Sequence, residues 1–308
     1  MGNKVLDLFA GCGGLSYGFQ LAGYDIIGFI EWWQPAIATF LQNHPSSTHI
    51  GMDITKISDE ILLKYNGKVD IIVGGPPCQG FSICGKRNPK DERNKLYQHF
   101  LRCVRLVEPH TVVMENVRGL LSMKAEDNEF VISKIMRDFV SLGYFVSYKV
   151  LTASDFGVAQ NRQRLFIIAQ KLNLFPLPTT QRKTVHEALN DLPNKENGLN
   201  GHIFFPTQAE TLLRIKKLKQ GELLCQKFKC GRLRLFADKP SRTITTNPNC
   251  IHPHHDRFLT PREYARLQSF PDSFEFAGSR NDMVKQIGNA VPPLLAQAVA
   301  EKLREVKL

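Results

Sequence analysis

Val5-Leu6-Asp7-Leu8-Phe9-Ala10-Gly11-Cys12-Gly13-Gly14 is the stretch of this sequence that decides the fold. Its first six residues form a short apolar run that predicts a buried strand. An amphipathic segment, residues 15–22, follows the glycines and is predicted to be a helix. Strand, glycine turn and helix make the first unit of a Rossmann-type sheet, in which glycines let the backbone approach a ligand closely. The glycine spacing is not the dinucleotide fingerprint, which argues against a bound NAD.

Acidic residues follow the next two predicted strands. The strand at residues 26–30 ends at Glu31, where a carboxylate can accept hydrogen bonds from ribose hydroxyls. Trp32 offers a stacking surface beside it, and Asp53 precedes Ile54 at the end of the following strand. Together with the glycine turn, these residues favour an adenosine-containing ligand that carries no pyrophosphate. An ordinary α/β domain with acids in its loops remains the alternative.

A cysteine between prolines and a glycine follows another predicted strand. The apolar run at residues 69–73 leads into Gly74-Gly75-Pro76-Pro77-Cys78-Gln79-Gly80-Phe81-Ser82. Residues just past such a strand lie where open α/β sheets bind ligands. The paired prolines restrict the backbone and help to fix the direction of the thiol. A buried structural cysteine after a Pro-Pro turn is the alternative.

Two more segments place polar groups at strand ends. The apolar run at residues 111–117 carries Glu115, and Gln160-Asn161-Arg162-Gln163-Arg164 leads into a strand at residues 165–169. A thiol, a carboxylic acid and two guanidinium groups at strand ends can converge on one heterocycle. A surface glutamate and a solvated arginine pair are the alternatives.

Composition narrows the class of protein. A chain of 308 residues with 43% hydrophobic content can bury one large core and a smaller domain. Forty Lys and Arg against 29 Asp and Glu give a net charge of +11, which is consistent with a polyanionic partner. The seven cysteines include no CxxC pair, so neither zinc nor disulfides are expected. His252, His254 and His255 are assigned to a polar loop rather than to a metal site. We see no secretion signal and no long apolar span, and expect a protein without membrane contact.

Six ordered motifs resemble those of the DNA (cytosine-5)-methyltransferases of the bacterial and archaeal restriction-modification type. They span nearly the whole chain, and four of them lie in the segments quoted above. The motifs are residues 7–14, 75–82, 115–117 and 160–164, then LTPREYARLQSFP at 259–271 and QIGNAVPP at 286–293.

The resemblance implies a Rossmann-like sheet of the S-adenosylmethionine-dependent methyltransferases and a smaller target-recognition domain. Strand and helix patterns alternate up to about Ala169, the signature of a doubly wound sheet. We expect a catalytic and cofactor-binding domain at residues 1–174 and a target-recognition domain at 175–280. Residues 281–308 would return to the catalytic domain, with a final helix from Pro293 to about Val306. DNA would bind between the two lobes, and residues 194–234 would read bases, with phosphate contacts from Lys216, Lys217 and Lys219.

The resemblance also implies a reaction. A methyl group would pass from S-adenosylmethionine, leaving S-adenosylhomocysteine, to carbon 5 of a flipped-out cytosine in a short duplex sequence. Cys78 would form a covalent adduct at carbon 6 of the ring. Glu115 would act at N3, Arg164 would hold the O2 edge, and Arg162 would support them. Residues 79–95 resemble the family's mobile catalytic loop, and their basic side chains would contact phosphates: Lys86, Arg87, Lys90 and Arg93.

Cofactor contacts carry over position by position from the family. The matching residues are Phe9, Gly11, Gly13, Gly14, Glu31, Trp32, Asp53, Ile54, Pro76, Asn289 and Val291. One departure is Trp33, which stands where many relatives carry a small polar or acidic residue.

Partners and rival readings complete the expectations. We expect a monomer that acts on double-stranded DNA and binds no metal. It would be cytoplasmic and associated with the nucleoid through that DNA. A cognate restriction endonuclease is compatible with the resemblance. A relative that methylates transfer RNA shares the scaffold, but its Cys-Phe-Thr segment is not found between residues 175 and 260. A catalytically dead DNA-binding homologue would usually lose Cys78 or Glu115, and both are present.

Overall fold

The computed structural model describes residues 3–77, 96–125, 127–170, 179–224 and 232–305. The strands in these ranges are β1 (Lys4–Leu8), β2 (Asp25–Ile30), β3 (Thr48–Gly51), β4 (Ile71–Gly74), β5 (Thr111–Val117), β6 (Phe145–Thr152), β7 (Gln160–Asn161), β8 (Gln163–Gln170) and β9 (Ser241–Arg242). Seven of them form one sheet in the order β3-β2-β1-β4-β5-β8-β6, while β7 pairs with β9.

The sheet is parallel from β3 to β5 and then changes direction. Strand β8 is antiparallel to both β5 and β6. Only residues 153–162 lie between β6 and β8, too few for the helical crossover that a parallel neighbour needs. The α/β sheet predicted from the sequence is therefore confirmed, with one antiparallel strand that the alternation of patterns did not indicate.

Ten α-helices occur in the described ranges. They are α1 (Gly14–Leu21), α2 (Gln34–Asn43), α3 (Asp59–Leu63), α4 (Leu96–Val107), α5 (Val131–Ser141), α6 (Val185–Leu189), α7 (Ala209–Lys216), α8 (Pro261–Leu267), α9 (Arg280–Asn289) and α10 (Pro293–Glu305). None of these is long and apolar enough to cross a membrane. The helices predicted at residues 15–22 and from Pro293 match α1 and α10 within one residue.

Hydrophobic clusters cover both faces of the sheet. Alternate residues of each strand point to opposite faces, so Val5 belongs to one cluster and Leu6 to the other. Helices α1, α2 and α10 pack on the first face, and α3, α4 and α5 pack on the second. This three-layer packing holds the strand ends in place.

The region after the sheet is less regular. Helices α6, α8 and α9 share a cluster that also contains Cys12 of the glycine turn and Ala159. A small separate cluster joins Ile215, Leu224 and Ile251. The predicted second domain and its boundaries at residues 174 and 280 stay predictions.

Helices α1 and α10 approach each other at Gly18. A Cβ at this position would lie 2.5 Å from the Pro293 carbonyl oxygen and 2.7 Å from the Gln297 nitrogen. Gly18→Ala should therefore destabilise the protein by about 1–3 kcal/mol of overpacking. This cost acts against the roughly 1 kcal/mol that alanine favours over glycine in a helix. Urea unfolding of the purified variant measures the net change in the free energy of unfolding.

Gly51→Ala is the matched control. A Cβ there would lie 3.2 Å from Cγ1 of Ile57, an atom of a flexible side chain rather than of the backbone. We expect a smaller loss of stability than for Gly18→Ala. Equal stabilities of the Gly18→Ala variant and the wild type would contradict the tight α1–α10 contact.

Candidate active site

The carboxyl ends of four parallel strands meet at one edge of the sheet. Leu8 of β1 pairs with Ile30 of β2 and with Gly74 of β4, and Gly74 pairs with Met114 of β5. The glycine turn, Glu31 and the Pro-Pro segment follow β1, β2 and β4, and Glu115 is the residue after Met114 in β5, so the structure brings them to one edge. Open α/β sheets bind ligands at this edge.

The glycine turn has a left-handed backbone and packs on the carboxy-terminal segment. Phe9, Gly11 and Gly13 have φ angles of 62°, 56° and 91°. No described atom lies within 4 Å of a Cβ built on Gly11, so this residue faces open space. A Cβ on Gly14 would overlap the carbonyl oxygen of Val291. The predicted cofactor residues of both segments thus lie side by side.

Glu31 anchors the turn. Its carboxylate accepts hydrogen bonds from the backbone N–H groups of Gly11 at 2.8 Å, Trp32 at 3.0 Å and Trp33 at 2.8 Å. Burial raises the pKa of Glu31, and these N–H groups oppose that shift. A carboxylate has about four lone-pair positions, so three bonds leave Glu31 room for one more. The Trp32 side chain beside it is 66% exposed.

Asp7 is a second carboxylate under the glycine turn; it begins the motif at residues 7–14, but the sequence analysis assigned it no role. It is 1% exposed and accepts a hydrogen bond from the Ser16 hydroxyl at 2.6 Å. Burial raises its pKa to about 7. A charged residue inside the apolar run at residues 5–10 is the signal that could have identified it.

Asp53 and Ile54 lie beyond the end of β3. The Asp53 carboxylate accepts hydrogen bonds from the backbone N–H and the hydroxyl of Thr55, which lower its pKa. Ile54 is 2% exposed, and its carbonyl accepts a hydrogen bond from Arg102 at 2.8 Å. This turn is therefore held by its own hydrogen bonds to Thr55 and by the bond from Arg102 of α4.

Glu115 and Arg164 form an ion pair at the same edge. Arg164 Nε lies 2.7 Å from Glu115 Oε1, and both side chains are largely buried. Arg164 is brought there by the antiparallel pairing of β8 with β5, which places it opposite Val117. A Cβ on Gly75 would lie 3.1 Å from Glu115 Oε2. Glycine at position 75 therefore gives this carboxylate room beside the Pro-Pro segment.

Asn116 fixes the same segment. Its side-chain amide donates a hydrogen bond to the Pro76 carbonyl at 3.0 Å. Cys78 and the predicted loop at residues 79–95 lie outside the described residues. The backbone two residues before Cys78 is therefore hydrogen-bonded to β5, the strand that carries Glu115.

The three described cysteines do not have the properties of a nucleophile. Cys12, Cys103 and Cys250 are buried and free. Burial raises the thiol pKa of each, to about 12 for Cys12 and Cys103. Nucleophilic cysteines act as thiolates and need a lowered pKa.

Arg162 is not part of the Glu115–Arg164 pair. It is 1% exposed, and its guanidinium donates to the carbonyls of Ile244 and Gly288, both at 2.9 Å. It thus connects the chain just after β7 to α9. Asn289, the last residue of α9, is exposed, and Val291 is buried against the glycine turn.

The histidine cluster is a structural loop. His252 is 5% exposed, and its Nδ1 accepts the backbone N–H groups of His254 and His255, both at 3.1 Å. Burial lowers its pKa to about 2. Within the described ranges, no group of three or more His, Cys, Asp or Glu side chains could hold a metal ion.

Sequence comparison with known proteins identifies the family of this chain. The family model for C-5 cytosine-specific DNA methylase matches residues 3–305. Type II methyltransferase M.DdeI of Desulfomicrobium norvegicum is 36% identical, covering 97% of this chain and 88% of its own length. Type II methyltransferase M1.HphI of Haemophilus parahaemolyticus is 38% identical, covering 98% and 86%.

Solved structures show the same fold. A crystal structure described as a putative DNA modification methyltransferase encoded within a prophage (E. coli) has a TM-score of 0.84 at 30% identity, covering 98% of both chains. The Spodoptera frugiperda DNMT2 structure, at 19% identity and a TM-score of 0.71 over 98% and 99% of the chains, shares the fold. The chain belongs to the C-5 cytosine-specific DNA methylase family, whose members methylate carbon 5 of cytosine in DNA.

Proposed function

We propose that this protein transfers a methyl group from S-adenosylmethionine to a cytosine flipped out of duplex DNA, through a covalent adduct of Cys78 with carbon 6. The observation that carries the proposal is the Glu115–Arg164 ion pair beside Gly75. Gly75 precedes Cys78 by three positions in the sequence, and a carboxyl group and a guanidinium are the groups that the polar edge of a cytosine requires.

The ring needs activation because carbon 5 of cytosine is a poor nucleophile. The Cys78 thiolate adds to carbon 6 and forms a C–S bond, which makes carbon 5 enamine-like. Glu115 stabilises the adduct by bonding and protonating at N3, and Arg164 holds the O2 edge. Arg162 supports this arrangement through the backbone. After methylation, loss of the carbon 5 proton, for which water is a candidate base, and β-elimination release Cys78.

The glycine-turn residues fit an adenosine-containing cofactor. S-adenosylmethionine, when bound, supplies the electrophilic methyl group. Gly11 leaves open space, Glu31 retains an acceptor position for ribose, and Trp32 exposes a ring for stacking. Asp53, Ile54, Pro76, Asn289 and Val291 would complete the cradle.

DNA recognition is assigned to the second half of the chain. Lys216, Lys217 and Lys219 are exposed at and after the end of α7, as phosphate contacts require. Flipping the base costs about a few kcal/mol, and the basic residues of 79–95 would offset part of this cost by binding phosphates.

We propose that the protein acts as a monomer in the cytoplasm, associated with the nucleoid through its DNA substrate. The type II designation of the relatives makes a cognate endonuclease a partner to look for.

The covalent mechanism predicts the result of a single substitution. Wild-type protein should transfer labelled methyl groups from S-adenosylmethionine to duplex DNA, and Cys78→Ala should abolish transfer while S-adenosylhomocysteine affinity is retained. The thiol supplies the bond to carbon 6, and an alanine side chain cannot form it. Filter binding measures transfer, and calorimetry measures the affinity.

Transfer RNA serves as the competing substrate in the same assay. Methylation of transfer RNA in place of DNA would contradict the proposed substrate. Activity of the Cys78→Ala variant above a trace would contradict the nucleophile.

The position assigned to Glu31 predicts that its removal weakens cofactor binding. Glu31→Ala should weaken S-adenosylhomocysteine binding about tenfold or more, because a hydrogen bond to a charged group contributes roughly 1.5–3 kcal/mol. Asp70→Ala is the matched control: this carboxylate also accepts a backbone N–H, that of Lys4 at 2.9 Å, but at the opposite edge of the sheet. Calorimetry showing wild-type affinity for Glu31→Ala would remove Glu31 from the cofactor site.

The division of roles predicts a change of target. Replacing residues 194–234 by the corresponding region of a relative with another target should change the methylated sequence while the chemistry is kept. Base-reading side chains contribute about 1–3 kcal/mol of discrimination each. Bisulfite sequencing of DNA from cells expressing the chimera identifies the methylated cytosines. An active chimera that still methylates the original sequence would place specificity elsewhere.

A further inference from the structure

Trp33 is held by its backbone between Glu31 and helix α2. Its N–H donates to Glu31 Oε1 at 2.8 Å. Its carbonyl accepts the N–H groups of Ala36 at 2.9 Å and Ile37 at 3.0 Å, the first hydrogen bonds of α2. A displacement of Trp33 therefore displaces the carboxylate assigned to the ribose.

The Trp33 side chain makes a contact of its own. Lys285 Nζ lies 4.4 Å from the centroid of the Trp33 ring, within the range in which a cation is attracted to an aromatic face. Lys285 is exposed on α9, one turn before Asn289. The contact therefore joins the turn after β2 to the helix that leads into the carboxy-terminal cofactor residues.

The same two segments are bonded farther along α2. The Asn43 side chain donates to the Glu275 carbonyl at 2.8 Å and accepts the Glu275 N–H at 3.0 Å. The Thr39 hydroxyl accepts the Ala277 N–H at 2.8 Å. These bonds fix the far half of α2 against the chain before α9, whereas the Trp33–Lys285 contact lies at the end of α2 next to Glu31.

We propose that Trp33 and Lys285 are a positioning pair for the cofactor, which holds the Glu31 turn against α9 and so closes the site on its adenosine side. This inference rests on the proposed use of S-adenosylmethionine. It assigns a role to the one residue of the turn, Trp33, that departs from the family pattern. Neither side chain needs to touch the reacting atoms.

The test is a binding cycle with S-adenosylhomocysteine and no DNA, measured by calorimetry. Lys285→Met should weaken binding about two- to fivefold, the size of one exposed cation–aromatic contact. Lys285→Arg should restore it, since a guanidinium also stacks on aromatic faces. The double variant with Trp33→Ala should bind no more weakly than Trp33→Ala alone, because the two side chains act as one unit.

Lys239→Met is the matched control. Lys239 Nζ lies 4.5 Å from the Phe236 ring centroid, the same kind of contact on a segment that carries no proposed cofactor residue. We expect its affinity for S-adenosylhomocysteine to equal that of the wild type. A loss as large as that of Lys285→Met would overturn the inference, because any surface contact would then have this effect.

Fluorescence separates the contact from a general loss of stability. The chain has two tryptophans, so Trp32→Phe leaves Trp33 as the only source of tryptophan emission. Adding Lys285→Met to that variant should shift the ligand-free emission. Identical spectra, or wild-type affinity of Lys285→Met, would overturn the positioning pair. A wild-type protein that binds neither S-adenosylmethionine nor S-adenosylhomocysteine would overturn the proposed cofactor instead.

Discussion

The return of the carboxy-terminal segment onto the first strand-turn-helix unit is the packing constraint on which the rest of the structure depends. The backbone of residues 291–297 lies so close to α1 that Gly14 and Gly18 have no room for a Cβ. The Tyr24 hydroxyl adds a bond to the Ala300 carbonyl at 3.2 Å. Because this contact is between backbones, it fixes the glycine turn more closely than side-chain packing would. The proposed cofactor edge is therefore built from both ends of the chain.

A second connection carries that constraint to the edge proposed to be catalytic. Arg162 binds the Gly288 carbonyl behind the site, and Arg164, two residues later, pairs with Glu115 in front of it. In an unbroken strand, positions two apart such as Arg162 and Arg164 would face the same way, but β7 ends before Arg162 and β8 starts after it. This break lets the two arginines reach different partners, Gly288 and Glu115. The carboxy-terminal segment proposed to bind cofactor and the proposed cytosine pocket are thus joined by one short segment.

Much of this arrangement could be predicted from the sequence, because apolar runs identify strands and parallel strands bring their carboxyl ends together. That logic placed the glycine turn, Glu31 and Glu115 at one edge. It could not show the partners of Arg162, since Ile244 and Gly288 lie 82 and 126 residues away along the chain. Nor could it show the burial of Asp7 or the contact of Trp33 with Lys285, because both depend on how helices cover the sheet.

Two carboxylates beneath the glycine turn give this edge its electrostatic character. Burial raises the pKa of Asp7 to about 7 and also raises that of Glu31. An acid with a raised pKa in the folded state binds more protons than in the unfolded chain, where Asp titrates near 3.9. Asp7 therefore stabilises the fold fully below about pH 4, and this contribution is lost as the pH rises through about 7. Above about pH 7 Asp7 is ionised, and a bound cation would offset its buried negative charge. The sulfonium group of S-adenosylmethionine, the proposed cofactor, carries such a charge and its demethylated product does not, so Asp7 would favour the methyl donor over the product.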